Sequence, residues 1–333
     1  MSVDHPVVDV RNLAVVFDTY DGPAPAVQQL HFHVNRGETL GLVGESGCGK
    51  TVTALALMRL LPPNGRIVSG EILLDGVDLM RLDDEEMRML RGRHIAMAFQ
   101  EPMTALNPVL TIGRQITESL FVHLELRKRE ARIRALDMLQ RVGVPDPERI
   151  YDAYPHQLSG GLRQRALIAM SLVCMPGFLI ADEPTTAIDV SLQVQILHLI
   201  NDLKVEFGMG VLLITHDLSV VAESCDRVAV MYASHIVETA PVLDLFLKPR
   251  HPYTIGLLHS IPSAHVPQQR LSIIPGQVPR PQHYPAGCNF ASRCSFASEQ
   301  CVNHDPELVE VTGHHAVACW NIDRVASLHP GVA

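Results

Sequence analysis

Nowhere does this 333-residue sequence hold an apolar run long enough to cross a bilayer. The nearest approach, Ala166–Ala181 (ALIAMSLVCMPGFLIA), falls short of the roughly 20 residues a spanning helix needs, and Pro176-Gly177 cuts it into a helix-like and a strand-like half. Any work at a membrane must then pass through a partner. A charged-then-apolar leader is missing too, which predicts a chain that stays in the cytoplasm. Basic charge is in deficit: the formal net charge is −9, so the total offers no footprint for nucleic acid. No internal repeat is evident, which sets aside solenoids and propellers. Paired Cys-x-x-Cys knuckles are also absent, which weakens a zinc-ribbon reading.

What is present describes a folded protein, 47% hydrophobic and 19% charged, long enough for one large domain and a smaller one. The stretch Leu40–Thr51, LGLVGESGCGKT, dominates it. Leu40–Val43 reads as a buried strand, Gly44, Gly47 and Gly49 break it, and Lys50-Thr51 opens a helix-forming segment. Gly-x4-Gly-Lys-Thr between strand and helix is a phosphate loop. Glycines let successive N–H groups, including those of Ser46 and Cys48, curl toward phosphate oxygens at the positive end of a helix dipole. Lys50 reaches the β- and γ-phosphates and the Thr51 hydroxyl ligates Mg²⁺. Beside Lys50 and a helix start, the Cys48 thiol is expected to be unusually acidic and reactive.

Strands are predicted at 7–17, 30–43 and 95–99, a hairpin around Asp75-Gly76, and a helix starting at Asp83 or Asp84. From Glu101 the texture turns helical, with segments at 111–125 and 127–142, the second placing Ile133, Leu136, Leu139 and Val142 at helical spacing. Strand signals return at 178–181 and 211–215, with a helix at 192–204 between them, and a hairpin follows at 227–238. The expected fold is α/β: a cassette-like core over 1–242 with a helical insertion at about 101–165, then a small irregular Cys-containing region over 243–333.

Two further stretches carry chemistry. Phe178–Ala181 runs into Asp182-Glu183, which places one carboxylate at a strand end to order Mg²⁺ and a second to take a proton from water. Leu158-Ser159-Gly160-Gly161-Leu162-Arg163-Gln164-Arg165 is a second glycine-rich helix start. In these residues the chain resembles the ATP-binding-cassette ATPases, whose signature is LSGGQ or a close variant. The resemblance implies that Ser159, Gly160 and Gly161 close on ATP held by a second cassette, so that the active site is shared. It also implies that Gln100 touches Mg²⁺ and senses the membrane partner, that His216 contacts the γ-phosphate, and that Thr186-Ala187-Ile188-Asp189 crosses the interface. Phe17, with Tyr20 as fallback, stacks on adenine in this reading. Leu162, Ile188, Glu101 and Cys48 depart from the usual residues without removing a catalytic group.

FQEPMTALNP, His251-Pro252-Tyr253-Thr254 and the tail with GCNFASRCSFASEQC resemble the oligopeptide/dipeptide importer branch. That branch implies a second ATPase subunit (sister or self), two transmembrane permease subunits and an extracytoplasmic peptide-binding protein. It also implies a place on the cytoplasmic face of the inner membrane and no nucleic acid. The same machinery can carry nickel or glutathione, and a soluble cassette ATPase outside transport is the other alternative. Cys288, Cys294, Cys301 and Cys319 cluster in the tail, where relatives of the branch hold a 4Fe–4S cluster; zinc, with His304, His314 or His315, is the alternative.

Overall fold

The computed structural model describes residues 5–99, 105–185, 190–260 and 274–328. Gln100 and Thr186–Asp189 lie outside the described residues. Chain contacts divide the protein into two units, one of Asp9–His33, Thr39–Ile72 and Ile214–Ala333, the other of Met1–Val8, Val34–Glu38 and Leu73–Leu213.

In the first unit, β1 (Val8–Thr19) and β2 (Gly22–Val34) form a hairpin, and the neighbours run β2-β1-β4, with β4 spanning Gly65–Leu74. Alternation slips by one residue in both hairpin strands. Val8 and Val10 are buried, then Leu13 and Val15; across the hairpin Val27 is followed by Leu30 and Phe32. The slips fall at Asn12 and Gln29, whose φ angles are 49° and 45°, so each strand carries a bulge that keeps its apolar residues on the core face. Gly70 of β4 passes this kink so closely that a Cβ there would lie 2.6 Å from the Asn12 carbonyl oxygen.

The second sheet segment of this unit begins at β3 (Thr39–Val43), buried at all five positions as a strand covered on both faces must be. It pairs in parallel with β9 (Arg227–Tyr232), Leu40 opposite Arg227 and Val43 opposite Val230. A turn through Ala233 and Ser234, both at positive φ, returns the chain antiparallel as β10 (His235–Pro241). The tail then adds β12 (His315–Val317) to β10, and β11 (Val309–Thr312) to β12. A tail expected to be irregular thus contributes strands to the same sheet.

In the second unit Asp75 and Gly76, at φ 46° and 81°, turn β4 into the two-residue β5 (Val77–Asp78). A helix at Asp84–Leu90 starts from a capping box in which Asp83 and Glu86 bond each other's backbone N–H. β6 (Ile95–Ala98) pairs in parallel with β7 (Phe178–Asp182). Between them lie helices at Ile112–Leu124, Lys128–Arg141, Pro147–Asp152 and Gly160–Leu172. The helix at Lys128–Arg141 corrects one expectation: Ile133 is 60% exposed, and the buried stripe is Ala131, Ala135, Met138 and Leu139. The stripe is set by small alanines that let neighbouring helices approach, which a search for bulky residues passes over. Among the described residues no helix is long and apolar enough to cross a membrane.

Candidate functional site: a phosphate loop and its companions

The chain leaves β3 at Val43 and curls through Gly44, Gly47 and Gly49 at φ 156°, 80° and 114° before the helix at Lys50–Leu57 begins. Two of these glycines are also packed against backbone. A Cβ on Gly44 would lie 2.1 Å from the Met231 carbonyl oxygen, and one on Gly49 would lie 2.4 Å from that of Ala26. The loop is therefore pressed against the end of β9 and against β2, leaving Ser46 and Gly47 exposed at its tip. Lys50 is 7% exposed, and its Nζ donates to the Gly44 carbonyl at 2.7 Å and the Glu45 carbonyl at 3.1 Å. Cys48 Sγ, at 3.8 Å, is its third acceptor, and a buried ammonium held by neutral groups fits one that takes a polyphosphate at this loop. Thr51 is exposed on the first helical turn.

The expected acidity of Cys48 is overturned. The residue is buried, and desolvation raises its thiol above the ordinary value, outweighing the nearby Lys50 charge. Its sulfur fills space beneath Gly44 instead of facing solvent.

Phe17 is half-buried on β1, its ring so close to Gly65 that a Cβ there would meet it at 2.7 Å. Tyr20, the fallback, stands fully in solvent. Asp182 closes a strand buried throughout and is itself 2% exposed. Glu183 follows at φ 45°, a left-handed backbone that a non-glycine residue adopts only under constraint. His216 is exposed one residue past β8 (Gly210–Thr215), where Asp217 caps the next helix by accepting from Ser219 N at 2.8 Å.

In the second unit Ser159 caps the helix at Gly160–Leu172, its Oγ accepting from Leu162 N. Its two glycines differ. Gly161 lies against Leu192, where a Cβ would come within 2.4 Å, whereas a Cβ on Gly160 would meet nothing within 4 Å among the described residues. Below them Arg163 donates to the Pro155 carbonyl at 2.7 Å and Arg165 donates to the Val142 carbonyl and to Gln195. The arginines brace the start of the helix and leave Ser159 and Gly160 exposed.

Among the described residues no group of three or more His, Cys, Asp or Glu side chains is placed to hold a metal ion. Three of the four tail thiols accept from their own chain: Phe296 N donates to Cys294 Sγ and Asn321 N to Cys319 Sγ, both at 3.4 Å, and Asn321 Nδ2 to Cys301 Sγ at 3.3 Å. Burial pushes the Cys288 thiol up to about 12 and that of Cys319 up to about 11.

A glycine cradle with a buried lysine between strand and helix, and a buried aspartate at a strand end followed by a strained glutamate, define a P-loop nucleoside-triphosphatase. Residues 27–186 match the ABC transporter family and residues 237–301 the oligopeptide/dipeptide transporter C-terminal region. The oligopeptide transport ATP-binding protein AppD of Bacillus subtilis is 49% identical over 94% of this chain and 96% of its own length. OppD of the same organism is 48% identical over 94% and 88%. A dimeric post-hydrolysis ATP-binding cassette bound to ADP and Pi superposes with a TM-score of 0.64 at 27% identity, over 71% of this chain and 98% of that one. The chain belongs to the ABC transporter ATPases, in the branch that carries the oligopeptide/dipeptide-type C-terminal region. It is an ATPase of the cassette type.

Proposed function

We propose that the chain is the ATP-hydrolysing subunit of a membrane importer for di- or oligopeptides. The observation that carries this is the likeness over nearly the whole length to oligopeptide transport ATP-binding proteins, tail included. The cassette spans about 1–242 and the oligopeptide-type region the remainder. Bound ATP and Mg²⁺ supply the phosphoanhydride and the charge that offsets it. Lys50 and the N–H groups of Gly44–Thr51 hold the phosphates, Thr51, Asp182 and Gln100 the metal, and Phe17 the adenine. Glu183 accepts the proton of the attacking water, and His216 senses the γ-phosphate. Ser159, Gly160 and Gly161 serve the ATP of a second cassette, sister or self. Support for that last role comes from Gly160: neither its φ nor its neighbours among the described residues require glycine.

Two permease subunits and an extracytoplasmic peptide-binding protein complete the machine at the cytoplasmic face of the membrane. A 4Fe–4S cluster on Cys288, Cys294, Cys301 and Cys319 is a further reading, supported by the N–H donors already aimed at three of the sulfurs. Iron and acid-labile sulfide in the anaerobically purified chain are expected from it, and zinc alone overturns it.

The function is tested by deleting the chain from its cells and following uptake of labelled di- and oligopeptides, nickel and glutathione. Loss of peptide uptake, with permeases co-purifying with the restored chain, is expected. Intact peptide uptake alongside loss of one of the other solutes would reassign the cargo.

A further inference from the structure

Arg293 stands one residue before Cys294 in the tail, yet its side chain is only 5% exposed. Its guanidinium grips Glu45 with both nitrogens, Nη1 to Oε2 at 2.8 Å and Nη2 to Oε1 at 3.2 Å. The rest of the fork is fixed as well: Nε donates to the Pro275 carbonyl at 2.9 Å, Nη2 to the Ile274 carbonyl at 3.4 Å, and Nη1 to the Tyr232 hydroxyl at 3.4 Å. The ring of Phe290, from the same tail segment, packs edge-on against Tyr232 with centroids 5.1 Å apart. Glu45 is held a second time, because its backbone N–H donates to the Tyr253 hydroxyl at 2.9 Å.

Glu45 is the second residue of the phosphate loop, and its carbonyl is one of the two that receive Lys50. A free carboxylate there would oppose any polyphosphate entering the loop and would compete for Lys50. A planar, bidentate guanidinium both cancels that charge and fixes where the carboxylate points. We propose that Arg293 is a positioning residue of the nucleotide site, holding Glu45 neutralised and turned to the tail so that the loop meets polyphosphate without an opposing charge. This rests on the reading that the loop binds ATP. It makes the cysteine-bearing tail part of the nucleotide site's electrostatics, with no tail residue touching nucleotide.

The test is titration of the full chain with a fluorescent ATP analogue at low and high salt, together with steady-state ATPase kinetics. Arg293→Gln is expected to weaken binding about tenfold at low salt, less at high salt, and to raise KM with kcat kept within about twofold. Arg293→Lys, which keeps charge but loses the fork, should fall between. Adding Glu45→Gln to Arg293→Gln should restore affinity to within about twofold of wild type, because the opposing charge is gone. A purely structural Arg293 would leave the double variant as weak as the single one, and that result overturns the proposal, as does unchanged affinity in Arg293→Gln. If Arg293→Gln does not fold, Glu45→Gln alone decides: binding tighter than wild type supports the proposal, and weaker binding overturns it. Lys50→Ala separates the two readings, since unaltered binding in that variant would sink the loop assignment itself.

Discussion

The carboxylate of Glu238 accepts a hydrogen bond from His315 Nε2 at 2.8 Å with both side chains out of solvent, Glu238 entirely so. The same carboxylate accepts from Arg250 N at 2.6 Å and His251 N at 3.0 Å. One glutamate on β10 thus ties together the tail strand β12 and the start of the Pro252–His259 helix. An amide in its place would present a donor to one of these donors and leave it unpaired in the core. Glu238→Gln is therefore expected to cost about 3 kcal/mol of stability in urea unfolding. A loss below about half a kcal/mol would show that the network contributes no stability.

His251 supplies a pH dependence through the same network. Its Nδ1 accepts from Tyr253 N at 3.1 Å and caps the helix, and burial lowers its pKa to about 4, the Glu238 charge offsetting only part of that. The unfolded chain takes up this proton near pH 6.5 and the folded chain only near 4, so the contribution is complete above about 6.5 and is lost as pH falls toward 4. At pH 5 the loss from this one group is about 2 kcal/mol. His251→Asn keeps a capping acceptor and removes the titration. The variant should lose less stability than wild type between pH 7 and pH 5; equal losses would contradict the assignment.

The P-loop, the strand before Asp182 and the helix start at Ser159 could be read from the sequence because each is local: glycine spacing, a buried run and a cap are properties of neighbours in the chain. The hairpin at Asp75-Gly76 and the helix start at Asp83 or Asp84 were legible for the same reason. Non-local facts were not. Nothing in the spacing of residues 243–333 announces that β12 extends the sheet of β10, since three residues carry too little periodicity to mark a strand. The acidity expected of Cys48 failed because a neighbouring lysine is visible in sequence and desolvation is not. Arg293 was passed over because its partner, Glu45, is 248 positions away. No signal short of a structure joins them.

Glu183 sits at φ 45°, where an ordinary side chain costs the backbone of order 1 kcal/mol or more. Replacing its carboxylate by an amide keeps that geometry but removes the proposed base. Glu183→Gln should bind an ATP analogue as wild type does while ATPase turnover falls by about a thousandfold. Turnover near the wild-type rate would take the base role from this residue.

Gly49 and Gly160 make opposite predictions for the same substitution. At Gly49 alanine would be driven into the Ala26 carbonyl and held at φ 114°, so Gly49→Ala is expected to lower the melting temperature and abolish nucleotide binding together. At Gly160 there is open space, and alanine in a helix is favoured over glycine by about 1 kcal/mol, so Gly160→Ala should melt no lower than wild type. No described neighbour in its own chain calls for a glycine there. In the assembled transporter, a backbone that has to approach phosphate loses contact when a methyl group intervenes, and ATPase activity should fall by about tenfold or more. Melting and activity measured on both variants separate the cases: a Gly160→Ala protein as active as wild type would leave the shared-site reading without its physical support.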